Sequence, residues 1–282
     1  MKTAYIIIIC ILIVIFEIIR ELNTFKIKKY DLSYIYKAHI RVLFISDLHS
    51  KKYGKNNCRL LSAIKSEEPD IIITGGDMIT ASEEKGFEDS LLFLKSIKDI
   101  APCCYGMGNH EIKLIKKSNY DDSCVSNYFQ RISDIGITLL NNSGRALNIK
   151  NKNIYLYGIS IPIEYYKRFK RKKIDASLTE KSVQMLNGSD HDISFLLAHD
   201  PSGHEAYSKT GYDIVLSGHY HGGIIRFGSR GLISPQFKFL DKYSYGLKTL
   251  DNNNHMIISG GIGEHTIPIR FLNPAEINII DL

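Results

Sequence analysis

Five short runs of mostly apolar residues in this chain each lead into aspartate, histidine or asparagine, and that repetition limits the fold more than any other feature. IRVLFIS (Ile40 to Ser46) leads into Asp47 and His49, and IIIT (Ile71 to Thr74) leads through Gly75-Gly76 into Asp77. A run through Tyr105-Gly106-Met107-Gly108 leads into Asn109 and His110, and ISFLLA (Ile193 to Ala198) into His199. DIVLS (Asp213 to Ser217) leads into Gly218-His219-Tyr220-His221-Gly222-Gly223. Continuous apolar runs of this length read as strands buried on both faces. Polar residues gathered at the carboxyl ends of such strands are the usual position of a ligand site in α/β folds. Residues two apart at a strand end point the same way, so Asp47 with His49, and His219 with His221, can converge on one ion. The neighbouring glycines allow tight turns and close approach of backbone to ligand.

The rest of the chain supplies the other layers. Helical spacing is read over residues 57–67 (Leu60, Leu61, Ile64), 87–97 (Leu91, Leu94, Ile97) and 123–135. Further strands are expected at 153–158, 193–198, 213–217, 256–259 and 276–280, which makes the second half strand-rich and calls for more than one sheet. With 282 residues, 44% hydrophobic and 23% charged, one large α/β domain can bury a sizeable core, and disorder is excluded. Trp is absent, so Tyr and Phe supply all large aromatic packing.

Thr3 to Ile19 form a nearly unbroken apolar stretch interrupted only by Glu17. No small-residue cleavage site follows it, so it is expected to be an uncleaved, single-pass membrane anchor rather than a signal peptide. Arg20, Lys26, Lys28 and Lys29 after it outnumber Lys2 before it, which leans the following domain toward the cytoplasm. The expected organisation is an anchor at 1–22, a linker and lead-in strand at 23–39 and a catalytic domain at 40–282. Five cysteines (Cys10, Cys58, Cys103, Cys104, Cys124) without a C-x-x-C pair exclude a disulfide framework and a cysteine zinc site, and are expected to act as small buried hydrophobes. The formal charge of +6 is concentrated in Lys167, Arg168, Lys170, Arg171, Lys172 and Lys173. That run is either a solvated loop or a contact for acidic lipid or a polyanionic substrate. No recognised module supports nucleic acid. Tyr165, Tyr166 and Phe169 within it suit a membrane interface or simply pack the loop.

A donor set of carboxylates, imidazoles and one amide suits borderline divalent metals such as Mn, Fe, Zn or Co. The series Asp47-Leu48-His49, Gly76-Asp77, Gly108-Asn109-His110-Glu111, His199 and Gly218-His219-Tyr220-His221 resembles the calcineurin-like metallophosphoesterase family over residues from about 40 onward. Gly260-Gly261-Ile262-Gly263, Pro268-Ile269-Arg270 and Pro274-Ala275-Glu276 are similar to its bacterial, membrane-anchored branch, whose relatives include UDP-2,3-diacylglucosamine hydrolases. The resemblance implies a four-layer α/β/β/α sandwich with two divalent metal ions, manganese foremost, between the sheets. Asp47, His49, Asp77 and His221 would hold one ion, and Asp77, Asn109, His199 and His219 the other. His110 would stand beside them without binding, placed to protonate the leaving oxygen. The implied activity is hydrolysis of a phosphodiester or pyrophosphate bond, with a lipid-linked substrate such as UDP-2,3-diacylglucosamine expected from the anchor. A nuclease or cyclic-nucleotide phosphodiesterase, a metal-dependent amidase and a non-catalytic membrane module are the alternatives. Two positions depart from the branch. Ile159-Ser160-Ile161-Pro162 replaces acidic residues, and Ile224 replaces a glutamine, which bears on substrate preference.

Overall fold

The computed structural model describes residues 2–81, 86–116, 122–167, 172–228, 230–233, 239–251, 253–264 and 268–282. The first half contains α1 (Lys2–Asn23), β1 (Phe25–Asp31), α2 (Ser33–Tyr36), β2 (Arg41–Ile45), α3 (Cys58–Ser66), β3 (Ile71–Thr74), α4 (Gly86–Lys98), β4 (Cys103–Gly106), α5 (Asn109–Lys116), α6 (Asp122–Asp134) and β5 (Thr138–Leu140). The second half contains β6 (Ser143–Ile149), β7 (Lys152–Ile159), α7 (Glu180–Asn187), β8 (Ile193–Ala198), α8 (His204–Tyr207), β9 (Ile214–Ser217), β10 (Arg226–Phe227), β11 (Arg230–Ile233), β12 (Phe239–Asp241), β13 (Gly246–Thr249), β14 (His255–Ile258) and β15 (Ala275–Asp281).

Two six-stranded sheets form the middle of the molecule, in the orders β1-β15-β2-β3-β4-β5 and β13-β14-β9-β8-β7-β6. Alternation along each strand divides its side chains between two cores. Val42 and Phe44 of β2 meet Ile193, Phe195 and Leu197 of β8, and Ile214 and Leu216 of β9, in the core between the sheets. Leu43 and Ile45 of the same β2 face the opposite way, onto Leu60 and Ile64 of α3 and Leu91 and Leu94 of α4. On the far side Leu196 and Ala198 of β8 pack with Leu186 of α7. The result is the expected α/β/β/α sandwich, and it explains why β2, β3, β8 and β9 are mostly apolar on both faces. Each is covered on both faces, and each large side chain so buried contributes about 1.5–3 kcal/mol.

The expected helices and strands are found within a residue or two of their predicted ends. Residues 23–39 supply β1, which pairs with β15 at the edge of the first sheet. Helix α1 is long and apolar enough to cross a membrane, and its side chains from Tyr5 to Phe16 are exposed. Cys103 and Cys104 are buried as expected, but Cys58 opens α3 exposed to solvent and Cys10 is exposed on α1, so these two are not core residues. Of the basic run, residues 168–171, including Phe169, lie outside the described residues. Lys173 pairs with Glu205 at 2.7 Å and Lys172 stands 5.8 Å from the Tyr165 ring.

Candidate metal centre

The two sheets bring all five expected strand ends together. The loops after β2 and β3 are zipped by hydrogen bonds from Asp47 N to Gly76 O (3.0 Å), His49 N to Asp77 O (3.0 Å) and Ser50 N to Met78 O (3.1 Å). Two further bonds cross between the sheets. His199 Nδ1 donates to Gly75 O at 2.7 Å, and His219 N donates to Asp47 Oδ1 at 3.0 Å. Gly76 lets the loops after β3 and β4 approach each other, because a Cβ there would lie 2.3 Å from the Gly108 nitrogen, and its φ of +91° is one that glycine alone adopts freely.

The geometry corrects one expectation. Asp47 and His49 do not converge by strand alternation, since β2 stops at Ile45. They converge because both are left-handed, with φ of 57° and 48°, as are Asp77 (52°), His219 (66°) and His221 (49°). A left-handed residue costs about 1–2 kcal/mol, less for Asp, and such strain persists only where surrounding structure dictates it.

Donor atoms of Asp47, His49 and His221 all lie within 4.8 Å of one another, and so do those of Asp77, His199 and His219. A third such group joins His49, Asp77 and His110. The Nε2 atoms of His49 and His221 are 3.2 Å apart, with rings nearly parallel at 10°. Two imidazole nitrogens this close need a proton or a cation between them. His199 Nε2 is 3.2 Å from Asp77 Oδ2 and 3.6 Å from Asp47 Oδ1. In its neutral form His199, which donates through Nδ1, presents the Nε2 lone pair to the site, and in its protonated form it turns Nε2–H toward Asp77. His199 Nε2 and Asn109 Oδ1 are both buried and, among the described residues, accept no hydrogen bond.

The electrostatics point the same way. Burial pushes the Asp47 carboxyl up to about 6, against His199 and together with the Asp77 charge. Burial opposes ionisation of Asp77 too, but His199, His110 and His49 hold its carboxyl well below the usual range. Burial would lower His199, yet the facing Asp77 and Asp47 raise it to about 10. Two buried carboxylates amid imidazoles therefore demand positive charge, which divalent cations supply more strongly than protons. Orphaned Asn109 Oδ1 and His199 Nε2, and the oxygen–nitrogen donor set, fit borderline divalent ions.

Sequence reasoning missed the frame that holds these side chains. Glu111, fully buried, accepts from Asp77 N and Gly108 N (2.9 Å each), Met78 N (3.0 Å) and Tyr105 Oη (2.7 Å). Arg270 is also buried, and its Nη2 donates to the carbonyls of Gly260 (2.9 Å), Gly261 (3.1 Å) and Gly263 (2.8 Å). Both residues sit in motifs visible in the sequence, but only the tertiary contacts assign them this work. Tyr166, read as an interfacial or loop-packing residue, stands edge-on to the His219 ring at 4.9 Å, while Tyr165 packs on the outer core. Ile159 and Ile161, at one departure from the branch, are buried in that same core, and Ile224 accepts from Phe271 N at 3.3 Å.

An uncharacterized metallophosphoesterase of Helicobacter pylori is 28% identical over 247 residues, covering 86% of this chain and 60% of its own length. The chain thus spans less than two thirds of that relative. Phosphodiesterase YaeI of Escherichia coli is 24% identical over 231 residues, 80% of this chain and 76% of its own length. A crystal structure of a dimetal phosphatase from Danio rerio aligns with a TM-score of 0.46 and 13% identity, over 79% of this chain and 88% of that one. The sequence profile of calcineurin-like phosphoesterases matches residues 40–223, a segment that contains every one of the strand-end residues from Asp47 to His221. The chain belongs to the calcineurin-like phosphoesterase family.

Proposed function

We propose that this chain hydrolyses phosphate esters with two divalent cations, one held by Asp47, His49, Asp77 and His221 and the other by Asp77, Asn109, His199 and His219. The observation that carries the reading is the pair of donor groups, Asp47-His49-His221 and Asp77-His199-His219, each with its donor atoms within 4.8 Å of one another, and linked by the third group that joins His49 to Asp77. Two divalent cations, when bound, supply Lewis-acid stabilisation of charge on the phosphoryl oxygens and acidify an attacking water. The protein's own contribution is to hold the donors rigid and to manage one proton. His110 Nδ1 accepts from Ala81 N at 2.9 Å, so the neutral ring carries its proton on Nε2. Its own backbone N–H donates to Asp77 Oδ1 at 2.7 Å, which ties the ring to the carboxylate between the two groups. That protonated Nε2 is suited to donate to the leaving oxygen.

The name of the Escherichia coli relative supports a diester over a monoester. Helix α1 supports membrane anchoring, with the organisation anchor, lead-in segment and catalytic domain, and hence a substrate within reach of lipid headgroups, such as a nucleotide-linked lipid. Manganese is the proposed ion. The test is hydrolysis of bis-p-nitrophenyl phosphate and p-nitrophenyl phosphate by the full chain in detergent, with added Mn, for wild type, His110→Ala and His221→Ala. Metal-dependent turnover lost in both variants, with Mn content kept in His110→Ala, supports these roles. Full turnover in His110→Ala removes the proton donor, and no turnover in a folded, metal-loaded wild type removes the phosphoesterase reading.

A further inference from the structure

We infer that Glu21, in the last turn of the N-terminal helix, is a positioning residue for the His219–His221 loop, so that the base of the apolar helix is part of the metal-site frame. Most of α1 is exposed, yet Glu21 is only 2% exposed and Asn273 is wholly buried. Glu21 Oε2 accepts the backbone N–H of Asn273 at 2.8 Å across 252 residues of sequence. The side chain of Asn273 turns the other way and donates through Nδ2 to the carbonyl of His221 at 2.7 Å and to that of Gly223. One residue therefore separates the helix from the loop that carries two expected ligands.

Three further observations make the link specific. A serine or glutamine would satisfy one N–H, whereas a buried carboxylate makes a stronger, charge-assisted bond at the cost of desolvation. The residue before the bonded N–H, Leu272, is held at φ +54°, a conformation a branched side chain keeps only under outside restraint, and the Glu21 bond to the next N–H supplies one. The same segment is fixed on its other side by Arg270, whose Nη1 donates to Asn273 O at 3.3 Å while its Nη2 lies 3.4 Å from His221 Nδ1. Helix base, residues 270–273 and the histidine loop thus form one hydrogen-bonded unit. Groups behind metal ligands orient them, and their loss weakens metal binding.

The inference rests on the metal-centre reading, and its test keeps the two apart. Mn binding to the full chain in detergent is titrated by the resonance of free Mn for wild type, Glu21→Ala and Glu21→Gln. Glu21→Ala is expected to weaken binding roughly tenfold, at the lower end for a group one residue removed from a ligand. Glu21→Gln, which retains a carbonyl acceptor for Asn273 N–H, should rescue most of that loss. A second measurement needs no metal: amide hydrogen exchange of the stripped chain, where Glu21→Ala should speed exchange over 218–223 and leave β8 unchanged. Wild-type affinity and wild-type exchange in a folded Glu21→Ala chain overturn the inference. A wild type that binds no Mn overturns the metal-centre reading, and the exchange measurement then still decides whether Glu21 holds the loop.

Discussion

Glu111→Gln is the sharpest perturbation of the frame, because it changes one atom in a carboxylate that four donors surround. With the amide nitrogen in place of Oε2, it would face the N–H groups of Asp77 and Gly108. In place of Oε1 it would face only Met78 N–H, since the Tyr105 hydroxyl can turn and accept. The second orientation is cheaper and still leaves one buried N–H unsatisfied, worth about 1–3 kcal/mol. The bonds that remain lose their charge, which adds about 1 kcal/mol more after the relief of no longer burying an anion. The expected loss is about 2–4 kcal/mol, a fall in Tm of roughly 5–12 °C for a protein of this size. Calorimetry of the metal-stripped chain should be run at about pH 8, above the value of about 7 to which burial and the Asp77 charge push Glu111, so that carboxylate is compared with amide. Mn affinity should fall together with stability, since Asp77 and Gly108 keep only a neutral carbonyl as their common partner and Met78 N–H loses its acceptor. A Gln variant melting within about 1 °C of wild type would refute the claim that this carboxylate holds the two loops together.

Gly76→Ala should destabilise by about 3 kcal/mol or more and prevent metal binding, because its Cβ would meet the Gly108 nitrogen at 2.3 Å, and an unchanged denaturation midpoint would remove the close-approach argument. Stripping the metals from the wild type should lower stability by about 2.7 kcal/mol for each ion whose free concentration had stood at a hundredfold its Kd, read as a concentration-dependent Tm. His255 is held below its ordinary pKa by burial, so the unfolded chain takes up the proton first as pH falls. Its contribution is therefore present above about 6.5 and lost below it, and His255→Gln should flatten the acid side of the stability curve relative to wild type.

The buried half of the fold was legible and the edges were not. β2, β3, β8 and β9 announce themselves because both faces are covered, and their polar ends mark the site. β1 lies in the segment expected as linker and lead-in strand, whose mixed polar-aromatic composition gives no strand boundaries, and the lysines of FKIKKYD suit the edge of a sheet, where cations discourage pairing with other chains. That gives Lys26, Lys28 and Lys29 a reason to exist apart from membrane orientation. β6 was missed because its side chains are half-buried or exposed, without the apolar signal of a covered strand. The expected ligand positions were legible from residue type and position after a strand. Glu21, Glu111, Arg270 and Asn273 were not, because their function lies in backbone groups they reach across the fold, and no local pattern records such a partner.

The strand β15, which lies between β1 and β2, sets an order on how this protein comes into being. Among the described residues β1 pairs with no other strand, and β2 has its second neighbour only once residues 275–281 arrive. On a ribosome the apolar helix emerges before the other elements described, and the strand that joins β1 to the sheet emerges after them. The first sheet, and with it the Glu21–Asn273 contact, closes only then. Until that moment two strand edges stay open beside an exposed apolar helix, so the nascent chain is most exposed to mispairing and to chaperone capture.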